Sequence, residues 1–556
     1  MTSIAFGDAR LYLNRHLEWM AFNRRVLEEA RDPGHPRLDG KTFSVEEHLM
    51  DLASGYVNGS GRHRQLHLGI TCAQGSKRWR HGRQARLQSW KNRIPPMQQY
   101  DLVVIGSGPG GQRAAIQAAK AGKRVAVVEK QSAVGGVCIN TGTIPSKTMR
   151  EAVPHLSGFH DQAFYGSNYH VKENITMKDL NFRVTRVIEN ETAVLQNQLK
   201  RNGVELYHGI GSFASEHLIR VENSNGFNEL EATYVVIAAG TKPAINAKVP
   251  TNSRNIVNSD QVLSIPAIPK TLIVVGGGVI GVEYACMFAT LGVRVIIVEK
   301  RPRLLEFADS EVVEALSYHM RDRRATMRLN EEVESVEELP DGKVAANLVS
   351  KKRIVGDALL YALGRQGNID RLNLTAAGVE ADDRGRIKVD ADYRTSQKHI
   401  FAVGDVIGFP SLASVSMEQG RLAAARAFGL QAESDPAGYP YGIYTIPEIS
   451  FIGKTEEQLT QEDVPYEVGV AYYREIARGQ ITGHTEGRLK LLFHRETLDL
   501  LGVDIFGEDA AELLHIGQAV LLLKGKITYF IHTVFNYPTL AECYKAAAFN
   551  GLNRLG

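Results

Sequence analysis

One pattern occurs twice in this chain. Tyr100 to Lys130 reads YDLVVIGSGPGGQRAAIQAAKAGKRVAVVEK, and Thr271 to Leu305 reads TLIVVGGGVIGVEYACMFATLGVRVIIVEKRPRLL. Each copy opens on a short apolar run, Asp101–Ile105 or Thr271–Val275, of the length and composition of a buried strand. Each then turns through GxGxxG into a helical stretch and ends on a second strand, Arg124–Val128 or Arg294–Val298, followed by an acid. The strand, helix, strand and terminal acid are the context that makes the glycine spacing meaningful.

Gly106 and Gly276 permit the tight turn, Gly108 and Gly278 let a pyrophosphate approach the backbone at a helix N-terminus, and Gly111 and Gly281 let helix and strand pack closely. Glu129, with Lys130 beside it, and Glu299 stand at the two strand ends, where an acid accepts hydrogen bonds from an adenosine ribose. Two dinucleotide sites in one polypeptide point to a flavin plus a nicotinamide. The competing reading is a pair of glycine-rich turns in some other α/β fold.

A chain of 556 residues is too long for one core, and its 44% hydrophobic content fills several. The longest apolar stretch, Thr271 to Glu299, is broken by glycine and carries Glu283 and Arg294, unlike a membrane span. The N-terminus has no short apolar run with a small-residue cleavage site, so the expectation is a cytoplasmic protein. Four scattered cysteines, Cys72, Cys138, Cys286 and Cys543, make neither a disulfide framework nor a CxxC metal pair, and no metal site is expected.

The net charge of +3 averages two unlike parts. Residues 1–96 hold 16 Lys and Arg against 9 Asp and Glu, whereas residues 97–556 hold 49 against 53, so the body gives no electrostatic reason to bind nucleic acid. Leu52 to Tyr100 has nine basic residues, no acid and no sustained period, and is expected to be disordered or loosely packed. It reads as a solvated tail, with an arm for nucleic acid or polyphosphate as the distant alternative. Leu11 to Pro36 resembles the opening of polyphosphate kinases, without that family's catalytic histidines, and a helix is expected over Leu13–Ala30. A gene fusion or a misplaced start codon would account for such a segment, with Met97, ahead of the first domain strand, as a natural start.

Beyond the first unit, Gly135 to Val153 reads GGVCINTGTIPSKTMREAV, followed by VVIAAGTKP (Val235–Pro243), the second unit, ALGRQGN (Ala362–Asn368), HIFAVGDVIG (His399–Gly408) and YTIPEISFIGKTEEQL. In this order the segments resemble the FAD-dependent pyridine nucleotide disulfide oxidoreductases over nearly all of residues 97–556. The resemblance implies an α/β fold with two Rossmann-like dinucleotide-binding domains and a C-terminal α+β interface domain. The FAD domain is expected over 97–242 and 376–434, the NAD(P) domain over 243–375 and the interface domain over 439–556.

It also implies site residues. Gly135, Gly136, Cys138, Thr143, Lys147, Gly240, Asp405 and Ala413 join Gly106, Gly108, Gly111, Glu129 and Lys130 around FAD. Gly276, Gly278, Gly281, Glu283, Glu299, Lys300, Arg301 and Gly364 fall to NAD(P). Lys147 resembles the lysine beside the flavin N5 and Glu283 its ion-pair partner, and these two are the catalytic candidates. Asp405 resembles the aspartate on the ribityl chain. The helix starting near Leu412–Ala413 is expected to direct its partial positive charge at the pyrimidine side of the flavin.

Two departures decide the reaction. Disulfide-reducing relatives carry CxxxxC against the flavin; here Cys138 is followed by Thr143. They also carry a C-terminal His-Pro-Thr, whose histidine is the acid and base for thiol exchange; here NYPTLAECY places Tyr537 at that step and keeps Glu542. Within the family, GTIPSK after a single cysteine, Phe535-Asn536-Tyr537-Pro538-Thr539 and the terminal NGLNRL resemble the soluble transhydrogenase branch. That implies a Si-specific transhydrogenase exchanging hydride between NADPH and NAD by ping-pong kinetics, as a homodimer or larger homo-oligomer. Lys300, Arg301 and Arg303 after Glu299 read either as partners for the 2′-phosphate of NADP or as a solvated basic turn. A dihydrolipoamide dehydrogenase-like or other FAD-dependent NAD(P)H reductase using Cys138 with an external thiol stays open.

Overall fold

The computed structural model describes residues 98–556 apart from 167, 245, 252 and 435–437. The helix expected over Leu13–Ala30 and the basic stretch up to residue 97 lie outside the described residues. The chain enters on β1 (Gln98–Ile105), turns into α1 (Pro109–Lys120) and continues through β2 (Val125–Glu129). Proline at the first turn of α1 costs no hydrogen bond, and Lys120 sits at the negative end of the helix dipole. β1 starts earlier than expected, because Gln98 to Tyr100 pair with Leu230 to Ala232 and the Tyr100 hydroxyl donates to Glu205 at 2.6 Å. The expectation of loose packing therefore fails for its last three residues, and Tyr100 is 3% exposed.

Helices α2 (Thr143–Ser157) and α3 (Met177–Arg201) follow, with a Thr176–Asp179 capping box opening α3. Next come β3 (Glu205–His208), β4 (Ile210–Phe213), β5 (Leu218–Asn223) and β6 (Gly226–Ile237). These strands form one sheet in the order β3-β2-β1-β6-β5-β4. The β1, β2, β3 and β6 pairings are parallel, and β4–β5–β6 is an antiparallel meander. A short β7 (Thr241–Pro243) leaves this sheet.

The second unit builds a separate sheet from β8 (Ile256–Asn258), β9 (Thr271–Val275), α4 (Val279–Thr290), β10 (Arg294–Glu299), α5 (Ser310–Asp322) and β11 (Thr326–Leu329). An antiparallel ribbon β12 (Val333–Glu338), β13 (Val344–Leu348) and β14 (Arg353–Gly356) precedes β15 (Ala358–Tyr361), and the order β11-β10-β9-β15-β8 is parallel throughout. Strands buried on both faces read as unbroken apolar runs, which is why Leu272 to Val275 and Val295 to Val298 show no polar alternation.

β16 (Arg365–Gly367) then pairs antiparallel with β7, and β17 (Ile400–Ala402) joins the first sheet beside β6. Helix α6 (Ala413–Ala427) lies against α1, with backbone nearly touching backbone: a Cβ on Gly420 would sit 2.0 Å from the Gly110 carbonyl oxygen. The remaining chain forms an antiparallel sheet of β18 (Tyr441–Ile443), β19 (Glu448–Gly453), β20 (Tyr466–Tyr472), β21 (Arg488–His494) and β22 (Leu500–Gly507). It ends in α7 (Ala510–Leu522) and α8 (Glu542–Leu552). No described helix is long and apolar enough to cross a membrane.

Candidate active site

The first glycine loop is fixed by two close approaches. Gly106 has φ +105°, and a Cβ there would lie 2.3 Å from the Ala238 carbonyl oxygen; at Gly111 it would lie 1.9 Å from that of Gly106. Any side chain at either position forces backbone apart. Gly108 has only open space where its Cβ would be, and it lines a cavity of about 430 Å³. Around that cavity stand Gly106, Glu129, Lys130, Gly136, Cys138, Thr143, Gly240, Asp405 and Ala413, together with Ser107 and Thr241.

Two helices point their N-termini into this cavity without a side-chain cap. Gly108 precedes α1 and Leu412 precedes α6, and neither offers a capping oxygen. Uncapped N–H groups at the positive ends of two helix dipoles suit an anionic pyrophosphate and an electron-rich ring. The Glu129 carboxylate accepts the Ser107 N–H at 3.0 Å and its hydroxyl at 2.6 Å on one oxygen, and the Gln131 N–H at 2.8 Å on the other. An acceptor position is left over for a ribose hydroxyl. The Ser107 hydroxyl oxygen in turn accepts the Gly135 N–H at 2.9 Å, so Gly135 acts behind the loop. These residues fit FAD.

The second loop repeats the construction. Gly276 and Gly281 meet the Ala362 and Gly276 carbonyl oxygens at 2.6 and 2.1 Å from where a Cβ would be, and Gly278 is open. Ala362 thus stands to Gly276 as Ala238 stands to Gly106, and Gly364, with φ +101°, takes the place that Gly240 has in the first loop. Glu299 ends β10 at 2% exposure and is bound by the Arg301 guanidinium through Nε and Nη2 at 2.9 and 3.0 Å. Burial alone would raise this carboxyl, yet the Arg301 and Gly277 hydrogen bonds hold it below the usual range. Arg303 instead reaches Glu457 at 3.3 Å and the Glu306 carbonyl oxygen at 2.6 Å, and Lys300 is exposed.

Between the loops, Lys147 on α2 donates to both oxygens of Glu283 on α4, at 3.0 and 2.8 Å. Glu283 is 3% exposed and also accepts the Tyr444 N–H at 2.8 Å, while the Tyr444 ring lies 5.0 Å from the Lys147 ammonium. Lys147 and Gly111 do not line the cavity; Lys147 stands at the bridge between the two halves. Cys138 is unbridged, and burial pushes its thiol up although the Thr143 side chain pulls the other way. Asp405 is likewise pushed up by burial, opposed by Arg365 and by the Thr241 hydroxyl, which donates to it at 3.3 Å.

Four contributors escaped the sequence reading. Ser107 occupies a variable step of its motif, and only its hydroxyl hinted at a role. Thr241 and Arg365 sit inside segments quoted for the family, and their side chains meet across the β7–β16 pair at 2.9 Å. Arg150, 1% exposed, holds α2 to Glu508 through two bonds of 2.9 Å and to the Thr445 carbonyl oxygen at 3.3 Å. Tyr537, at the family's histidine step, is 70% exposed. Among the described residues no cluster of metal-ligating side chains occurs.

Residues 100–420 match the family model for pyridine nucleotide-disulphide oxidoreductase, and residues 439–548 match the dimerisation domain of the same family. Residues 12–45 match the polyphosphate kinase N-terminal domain. The chain is 51% identical over 461 residues to the soluble pyridine nucleotide transhydrogenase of Mycobacterium bovis (strain BCG / Pasteur 1173P2), covering 83% of this chain and 98% of that protein. It is 46% identical over 473 residues to the protein of the same description from Hahella chejuensis, covering 82% and 99%. Among solved structures it is similar to LpdA from Mycobacterium tuberculosis, with a TM-score of 0.75 and 25% identity over 83% of this chain and all of that one. The HOCl-induced flavoprotein disulfide reductase RclA from Escherichia coli, in its Cu(II) complex, aligns with a TM-score of 0.73 and 26% identity, covering 82% and 99%.

Proposed function

The chain belongs to the pyridine nucleotide-disulphide oxidoreductase family, and from that premise we propose that it is a transhydrogenase passing hydride between NADPH and NAD through FAD. One observation carries the choice of reaction: the only thiol facing the FAD cavity among the described residues is Cys138, and its neighbour across the turn is the hydroxyl of Thr143. No second sulfur stands there to form a redox disulfide. A second pyridinium ring is the electron acceptor that this arrangement and the transhydrogenase relatives favour.

When bound, FAD would supply the carrier of hydride between one nicotinamide and the next. The uncapped ends of α1 and α6 would hold its negatively charged parts, and Glu129 with Asp405 would accept its hydroxyls. The dinucleotide substrates use the loop Gly276–Gly281 in turn, which makes the kinetics ping-pong. Lys147 would supply a positive charge to the bound flavin, and Glu283, fixed by Tyr444, holds that ammonium in place. Transfer on the Si face, a homo-oligomer built on residues 439–548 and a cytoplasmic setting belong to the same proposal.

The test is hydride transfer from NADPH to a thio-analogue of NAD by purified yellow protein, run beside reduction of lipoamide and glutathione disulfide. Transfer to the analogue with disulfide turnover at least a hundredfold slower is expected. Fast disulfide reduction would refute the assignment.

A further inference from the structure

The two glycine loops of this chain treat their acids differently, and the difference bears on which dinucleotides the second loop takes. In the first loop the residue two steps after the acid is Gln131, which gives Glu129 only its backbone N–H. In the second it is Arg301, which gives Glu299 its N–H at 2.9 Å, Nε at 2.9 Å and Nη2 at 3.0 Å; the Gly277 N–H completes the set at 2.5 Å. Two donors fall on each oxygen, so all of the roughly four lone-pair positions of that carboxylate are filled.

A ribose 2′-hydroxyl therefore finds no free acceptor on Glu299 while Arg301 lies on it. A 2′-phosphate meets no bare negative charge either, because the acid and the guanidinium cancel. Of about five guanidinium N–H groups, two are spent on Glu299 and three remain. The side chain is 37% exposed, and its Nη1 lies 3.9 Å from the half-exposed Glu306 carboxylate. The neighbouring cations are placed differently. Arg303 is tied to Glu457 and the Glu306 carbonyl oxygen, and among the described residues Lys300 makes no ion pair within 4.0 Å.

Resting on the transhydrogenase reading, we propose that Arg301 is the residue that sets dinucleotide preference. Clamped on Glu299, it presents its outer N–H groups to the 2′-phosphate of NADP and withholds the acid from the 2′-hydroxyl of NAD. The same side chain thus favours one substrate and handicaps the other, which keeps the two affinities close enough for one loop to serve both.

Arg301→Gln installs in the second loop the residue that the first loop already has. Calorimetric titration of FAD-loaded protein with oxidised NADP and with NAD reads the ribose end without hydride transfer. We expect NADP affinity to fall by about thirtyfold, as for loss of a charge-assisted contact, and NAD affinity to rise severalfold as Glu299 is released. Arg301→Lys keeps the charge and recovers part of the NADP affinity, whereas Arg303→Gln changes the ratio by less than about twofold. Equal losses for both nucleotides, or an NADP loss carried by Arg303→Gln, would overturn the proposal. Wild type that binds neither nucleotide would instead overturn the transhydrogenase reading, and this proposal with it.

Discussion

Replacing Gly420 with alanine tests whether the crossing of α1 and α6 shapes the FAD cavity. Within a helix, alanine should gain about 1 kcal/mol over glycine from propensity. Here its Cβ would lie 2.0 Å from the Gly110 carbonyl oxygen, 2.8 Å from the carbonyl carbon and 3.1 Å from its Cα. All three are backbone atoms, so relief requires the helices to separate by about 1 Å, at a cost of roughly 1–3 kcal/mol or more for an overpacked contact. The same movement withdraws Gly108 and Ala413, whose helix ends line the cavity. A charge-assisted hydrogen bond stretched from about 2.9 to about 4 Å is lost, at about 1.5–3 kcal/mol each, so FAD affinity should drop about a hundredfold. The assay is thermal melting of apoprotein together with FAD titration followed by flavin fluorescence. Gly108→Ala is the companion, since its Cβ enters open space and φ −63° suits alanine: apoprotein stability should hold while FAD binding weakens. An unchanged melting temperature and FAD affinity in Gly420→Ala would refute the reasoning.

Other consequences are as direct. Lys147→Met leaves the buried Glu283 with only the Tyr444 N–H, and the rate of flavin reduction by NADPH in stopped flow should fall at least about tenfold with FAD retained. Cys138→Ser should leave transfer from NADPH to thio-NAD within about twofold, because burial keeps that thiol protonated and the reaction does not use it. Glu448 is pushed up to about 7 by burial, with Arg150 pulling the other way. A carboxyl raised in the fold binds its proton more tightly there than in the unfolded chain. Its contribution is therefore full below about pH 4.5 and is lost as pH rises to about 7, a difference of roughly 3 kcal/mol at most. Glu448→Gln should flatten the melting temperature across that window and raise it at pH 8; an identical profile would exclude the role.

Much of what the structure brings together in the candidate site was legible because those residues lie close together in sequence. The glycines, Glu129 and Glu299 belong to local units whose spacing is set by one strand, one helix and one more strand. The pairing of Cys138 with Thr143 spans a single turn. What stayed hidden depends on residues far apart. Gly420 reads as a weak point in an alanine-rich helix until Gly110 is seen beneath it. Arg303 and Glu457 are separated by 154 positions, and Arg150 and Glu508 by 358. Arg301 was visible as a cation after an acid, but nothing in KRPR distinguishes a clamped guanidinium from a solvated one. The start of β1 was missed for a related reason, since Gln98 and Gln99 look like linker until β6 offers them a partner.

Arg150 turns α2 into a lever with a distant fulcrum. The helix that presents Lys147 is fastened near its middle to Glu508 and the Thr445 carbonyl, in segments flanking the strands of a sheet built from the last quarter of the chain. A protein lacking that quarter would keep both glycine loops and the Lys147–Glu283 pair, yet α2 would lose its Glu508 and Thr445 anchors and Glu283 the Tyr444 N–H. Catalytic competence should therefore appear only when the final strands are in place, however early the nucleotide-binding halves acquire their shape.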